Sequence, residues 1–185
     1  MNYLFVSQVF PDDRAPVRGT FNRALCAALA EEHGKVRVLA PRTWVEVLRR
    51  HMRRQGPFDA GETLASTTVS ADYPTYWYVP RLMQHRSGQA MFHSLQRPLR
   101  KLAKEFRPDV VLSYWAHPEG RAGLEAAQQL GVPAVCIVGG TDVLQLPHRH
   151  PLRYREVVRV LRESSAIITV SEGLRQACLA LGADP

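Results

Sequence analysis

The stretch from Arg107 to Val143 limits the possible folds more than any other part of the chain. It reads RPDVVLSYWAHPEGRAGLEAAQQLGVPAVCIVGGTDV. An apolar run at 109–113 reads as a buried strand and opens into a loop of aromatic and polar residues. Residues 118–130 follow with small side chains, a proline near the first turn and Gly131 past the end, which predicts a helix. A second apolar run at 134–138 ends in Gly139-Gly140-Thr141-Asp142. These are two consecutive strand-loop-helix units, with polar residues concentrated at the strands' C-terminal ends.

The same alternation extends in both directions. Residues 3–7 form an uninterrupted apolar run, as expected of a central parallel strand covered on both faces. After a proline-containing loop at 8–18, a helical pattern begins at Gly19, carries Phe21, Leu25, Ala28 and Leu29 on one face, and stops at Gly34. A strand is expected at 36–40. Residues 43–55 read as a basic amphipathic helix with Trp44, Val45, Leu48 and Met52 on one side. Residues 56–87 are irregular, with a strand expected at 64–69 and an aromatic-proline segment at 73–80. Further expectations are a helix at 88–106 that Pro98 threatens to interrupt, a helix at 152–163, a strand at 166–170 and a helix at 171–181 capped by Ser171. Strands alternating with helices imply an α/β fold built on a parallel, doubly wound sheet, with residues 1–185 as one domain.

Composition excludes several classes. No run approaches the roughly 18 apolar residues of a bilayer span, and no secretory leader is visible at Met1. Cys26, Cys136 and Cys178 are widely spaced in apolar settings and read as reduced core thiols of a cytoplasmic protein. The net charge of +7 is uneven. Between Arg42 and Arg107 there are 12 Lys/Arg against 5 Asp/Glu, so the whole excess lies there. Such a segment suits a solvated face or an anionic membrane surface. Without a recognisable nucleic-acid motif, no nucleic-acid partner is expected.

In an open parallel sheet, ligands bind beyond the carboxyl ends of the strands. That selects the loops at 8–20, 114–119, 139–142 and 171–172. Gly19-Thr20 lets backbone approach a ligand, and free helix-start amides favour phosphate; a glycine N-cap accounts for the same residues. Tyr114 and Trp115 offer apolar surface to a sugar, or pack the end of the sheet. His117 is a candidate to polarise a hydroxyl. Glu119 is a second polar candidate, unless it only complements a helix dipole. Gly140, Thr141 and Asp142 supply backbone freedom, a hydroxyl and an acceptor, or an Asx turn. His148 and His150 have poor metal-ligand spacing, so no metal is expected. Neither G-x-G-x-x-G nor a P-loop is present, which argues against nicotinamide dehydrogenases and P-loop NTPases.

With those residues in view, the chain resembles the N-terminal lobe of a group 1, GT-B-fold retaining glycosyltransferase. The resemblance rests on Ser7–Pro11 leading to Gly19-Thr20-Phe21, and on Pro108–Val111 followed by Trp115 to Gly120. It also rests on Gly140-Thr141-Asp142-Val143 and on the run from Ile168 to Arg175, and covers nearly the whole chain. It implies a Rossmann-like acceptor-side lobe closing over a nucleotide-sugar gripped mainly by a second lobe. It implies a hexosyltransferase acting without cofactor or metal on a glycan or lipid-linked acceptor, at the inner face of the membrane. It places Gly19 near the donor phosphates, His117 near the transferred sugar, and Thr141-Asp142 near the interlobe cleft, with Thr20, Tyr114, Trp115, Glu119, Gly140 and Ser171 around the substrate. The family's Gly-Thr/Ser-Asp motif usually follows His or Arg; here that place is Gly139, and the first loop has one glycine where many relatives have two. The expected donor-binding C-terminal lobe lies outside these residues, so the chain alone is expected to be inactive. A GT-B sugar-nucleotide 2-epimerase lobe and a non-catalytic binding half-module are the alternatives.

Overall fold

The computed structural model describes residues 1–60, 69–79 and 82–185, apart from the side chains of His33 and Arg149. Six parallel strands form the main sheet: β1 (Asn2–Val6), β2 (Lys35–Leu39), β4 (Val69–Asp72), β6 (Val110–Tyr114), β7 (Ala134–Ile137) and β8 (Ala166–Ile168). Their order is β4-β2-β1-β6-β7-β8. The chain winds outward from β1 through β2 and β4, then returns to β6 and winds the other way. This is the doubly wound, Rossmann-like arrangement, and its direction reverses between β1 and β6. A small parallel pair, β3 (Arg42–Thr43) and β5 (Thr75–Tyr76), stands beside it. The sequence did not announce this pair, because two-residue strands leave no periodicity.

One face of the sheet packs on α1 (Thr20–His33), burying Phe5, Phe10, Cys26, Val36, Val38 and Leu112. The other face packs on α3 (Ser87–Glu105), α4 (Arg121–Leu130), α7 (Pro151–Glu163) and α8 (Glu172–Ala180). There Leu4, Leu95, Leu99, Val111, Val160 and Leu161 are buried together. The continuous apolar runs of β1 and β6 follow from burial between these layers. All three cysteines are buried free thiols.

Helix α3 runs through Pro98 without a break. Proline removes one helical hydrogen bond, whereas the α3 ridge of Met91, Leu95, Leu99 and Leu102 is fixed by its burial. The helix expected at 118–130 begins only at Arg121, as α4, because Pro118–Gly120 belong to a wider turn at Ala116–Gly120. The strand expected at 64–69 falls outside the described residues except at Val69, where β4 begins. Ser171 caps α8 as expected, its Oγ accepting from the Leu174 N–H at 3.3 Å.

Helix α2 (Trp44–Met52) starts at a capping box formed by Thr43 and Glu46. Two of its charged residues, Glu46 and Arg50, turn inward. Glu46 pairs with Arg18, and Arg50 with Asp13, so two ion pairs of opposite sense tie α2 to the first loop. Two short helices, α5 (Thr141–Leu144) and α6 (Leu146–Arg149), lead from β7 into α7.

Candidate functional site

The loops after β1 and β6 diverge at the reversal of the sheet, and they meet through Gln8 and Glu119. Gln8 donates to Glu119 Oε1 from its backbone N–H at 3.3 Å and from Nε2 at 3.0 Å. Its Oε1 accepts from the Tyr76 hydroxyl at 3.0 Å. A chain of hydrogen bonds therefore runs from β5 through Gln8 to the β6 loop. Glu119 is completely buried and its Oε2 has no partner among the described residues. Burial pushes its carboxyl up to about 7 against the pull of the Gln8 donors. A group with that titration range exchanges a proton near neutrality.

His117 lies in the same turn and is also fully buried. Its Nε2 is 3.2 Å from the carbonyl oxygen of His85. A carbonyl only accepts, so the proton sits on Nε2 and Nδ1 keeps a bare lone pair, which has no partner among the described residues. Burial, reinforced by the Arg153 charge, pulls the imidazole down to about 4. His117 is therefore neutral at physiological pH, a lone-pair donor rather than a cation.

Asp142 ties the β6 and β7 loops together. Its Oδ2 accepts from the Ala116 N–H at 2.7 Å and its Oδ1 from the Gly139 N–H at 3.0 Å. It is buried, and burial raises its carboxyl above the usual range despite those donors. Gly139 accounts for the absence of a larger residue before Gly140. A Cβ there would overlap the Trp115 indole and stand 2.7 Å from the Tyr114 hydroxyl. The two aromatics stack on each other at 6.1 Å and occupy that space.

Gly19 sits at the start of α1 with φ of 63°, and a Cβ on it would collide with the Val9 carbonyl. Helix α1 has no side-chain cap and no acid in its first turn, so its positive end is unneutralised. Phe21, in that turn, packs on Tyr114 with ring centroids 5.0 Å apart. The start of α1 thus stands beside the end of β6. Of the remaining candidates, Gly140 is buried, while Thr20, Thr141 and Ser171 are exposed on their loops.

Arg42 escaped the sequence reading. It is fully buried, donating to the carbonyls of Gln8 and Phe10 at 2.7 Å each and pairing with Asp12 at 3.0 Å. Its guanidinium lies over the Tyr73 ring, 5.0 Å from the centroid. Arg42 thereby orders the long β1–α1 loop that carries Gln8. The signal available was its position three residues past the end of β2, where a parallel strand ends at the ligand edge.

The model of the glycosyl transferase 4-like domain matches residues 19–185. The chain belongs to that family. Among curated proteins it is 22% identical, over 95% of its own length, to a teichuronic acid biosynthesis glycosyltransferase, TuaC, of Bacillus subtilis (strain 168). It spans 46% of that relative. Among solved structures, the UDP-GlcNAc 2-epimerase of Methanocaldococcus jannaschii matches all of the chain with a TM-score of 0.59 at 12% identity. The Neisseria meningitidis UDP-GlcNAc 2-epimerase bound to UDP-GlcNAc matches all of it at 0.55 and 17%. UGT89C1 of Arabidopsis thaliana, complexed with UDP, matches 92% of it at 0.53 and 9%. The chain covers 43%, 44% and 42% of these three proteins. Such likenesses establish the fold, one Rossmann-like lobe of the GT-B type, and the family match makes it the N-terminal glycosyltransferase lobe.

Proposed function

We propose that this lobe forms the acceptor side of a retaining, metal-independent glycosyltransferase, moving a hexosyl unit from a nucleotide-sugar to a glycan or lipid-linked acceptor. The observation that carries the reading is the uncapped start of α1 at Gly19, set beside the β6 loop in a chain of this family. Free amides at a helix start hold phosphate oxygens, and only glycine lets the backbone pass Val9 as it does here.

In this reading the start of α1 helps to hold the donor diphosphate. Tyr114 and Trp115 give apolar surface to the sugar ring. Thr141 and Ser171, exposed on neighbouring loops, offer hydroxyls to the substrate. Asp142 positions the backbone between Trp115 and Gly140 without touching substrate. His117 and Glu119, buried behind the turn, set the shape and proton balance of the β6 loop; the role near the sugar implied for His117 requires that turn to open. A second lobe completes the donor site, in keeping with the 46% of TuaC that the chain spans.

The test is transfer from a panel of nucleotide-sugars to lipid-linked glycan acceptors, with the 185 residues alone and joined to a second lobe. Turnover is expected only for the joined protein, and Gly19→Ala is expected to abolish it. Robust turnover by the 185 residues alone would sink the reading.

A further inference from the structure

Parallel strands buried between layers have little room for charge, yet Arg37 stands in the middle of β2. Val36 and Val38 belong to the apolar layer shared with α1, and Leu39 to the layer on the other face. By alternation Arg37 lies with Leu39, on the α3 side of the sheet. Leu39 is fully buried there, whereas Arg37 is only half-buried. Its Nη1 donates to the Ser70 hydroxyl at 2.7 Å, and its guanidinium lies over the Phe106 ring, 6.0 Å from the centroid. Both partners are neutral, and no carboxylate pairs with Arg37 among the described residues.

Arg37 and Phe106 line a groove of about 500 Å³ between the outer strands of the sheet and the C-terminal half of α3. Its apolar part is stiff, with Pro74, Pro98 and Phe106 half-buried and Leu102 buried. Pro98, which costs α3 a helical hydrogen bond, thus has a place in this lining. Arg97 and Lys101 are exposed neighbours on one face of α3 and also line the groove. Neither pairs with a carboxylate among the described residues, although Glu105 lies one turn beyond Lys101 and Asp72 ends β4 in the same lining. The start of α1 and the turn after β6 contribute nothing to this groove. It is therefore separate from the loops where a donor is expected.

We propose that this groove binds a nucleoside monophosphate, outside the cleft of the proposed reaction. Its volume lies within the range of small-molecule sites, about 300–1,000 Å³. Three cations against two carboxylates leave the lining with a small positive excess, which matches a compact anion better than a polyanion. Guanidinium and phenyl planes accept a flat ring by stacking, so Arg37 and Phe106 give the base a surface. Arg97 and Lys101 supply charged donors for the phosphate. Asp72 supplies an acceptor for ribose hydroxyls. A free phosphate would leave the apolar lining uncovered, and an uncharged nucleoside would leave Arg97 and Lys101 unmatched. The site does not rest on the transferase reading.

The experiment is calorimetric titration of the chain with adenosine 5′-monophosphate, adenosine and inorganic phosphate, with the site located by amide chemical shifts. The monophosphate is expected to bind one to one and more tightly than either part alone, shifting the amides of Ser70, Asp72, Lys101 and Phe106. Arg37→Gln keeps a donor for Ser70 and should weaken binding about tenfold, the loss of a charged hydrogen-bonding group. Lys101→Gln should weaken it about threefold, as for an exposed charge pair, and its exposed position leaves the fold intact. Phe106→Leu should weaken it about threefold through the lost stacking. Arg159→Gln, on α7 and paired with Glu163, serves as the control and should change nothing. Absence of binding at millimolar monophosphate overturns the proposal. So does equal affinity for inorganic phosphate, or binding that ignores both the Arg37 and the Lys101 substitutions. Shifts confined to Thr20, Phe21 and Tyr114 place the nucleotide at the start of α1; that overturns this site and leaves the transferase reading standing.

Discussion

Gln8 and Glu119 are 111 positions apart in sequence, yet two hydrogen bonds from Gln8 close the junction where the sheet reverses direction. Both donors end on one carboxylate oxygen, leaving the other buried and bare. The consequence is a pH dependence of known sign. Burial raises the Glu119 carboxyl from its ordinary 4.5 to about 7. Between those values the unfolded chain has released the proton and the folded one keeps it. Stability from this group is therefore complete below about 4.5 and is lost as pH rises through about 7. Glu119→Gln removes the loss and should stabilise the protein at alkaline pH by on the order of 2–3 kcal/mol relative to acid. Urea midpoints of both proteins across that window check it.

His117 works in the opposite sense. Its imidazole falls from 6.5 to about 4, chiefly through burial. As pH drops through that interval the unfolded chain takes up a proton that the folded one refuses, so stability is lost toward acid. The two slopes oppose each other between about 4.5 and 6.5, which flattens the wild-type profile. His117→Gln keeps an N–H donor for the His85 carbonyl but does not titrate. Its stability should fall with rising pH where the wild type is level; a profile parallel to wild type would contradict the assignment.

Asp142 accepts from two backbone donors on different loops. Asn keeps the shape but turns one acceptor into a donor facing an N–H. Asp142→Asn should cost about 2–3 kcal/mol, the penalty of an unmatched buried donor together with a lost charge-assisted bond. Hydrogen exchange at the Ala116 and Gly139 amides locates the damage: the one that faces the new NH2 should lose protection while the one still bonded to the amide oxygen keeps it, and unchanged protection at both would contradict the assignment.

How much of this could be read beforehand depended on range. Tyr3 to Val6, Val110 to Tyr114 and the Ser171 cap were legible because an apolar run or a cap acts within a few residues. The wide turn at Ala116–Gly120 was not, since its shape depends on Asp142 reaching back from β7. Arg42 looked like the first residue of a solvated basic segment. Only the fold brings Asp12 and the Gln8 and Phe10 carbonyls around it. The amphipathic pattern of α2 was visible, but its direction was not, because Asp13 and Arg18 decide which side faces inward. For the site residues, sequence gave their loops; burial of His117, Glu119 and Asp142 emerges from the packing of those loops.

Gly139 is held small by its neighbours. Gly139→Ala should destabilise the protein by about 1–3 kcal/mol, the usual cost of overpacking a filled site. Trp115→Ala empties the space that the new methyl group would enter. The pair should therefore couple, with the double variant less destabilised than the sum of the two single ones by at least about 0.5 kcal/mol. Additive thermal-denaturation values would show that the steric explanation is mistaken.

Arg42 and Asp12 form a completely buried ion pair that also holds two carbonyls of the β1–α1 loop. Arg42→Met leaves Asp12 charged, buried and unpaired, and should cost about 3–5 kcal/mol. Asp12 retains the Arg14 and Ala15 N–H donors, so the far end of the loop keeps its turn. The Gln8 end loses its anchor. Combining Arg42→Met with Asp12→Asn removes the stranded charge and should recover part of the loss, leaving mainly the cost of the unmatched carbonyls. Because Gln8 reports to Glu119, the Arg42 variant should also change the alkaline slope that Glu119 produces. If denaturant titrations show an unchanged Glu119 signature, Arg42 supports the loop without positioning Gln8.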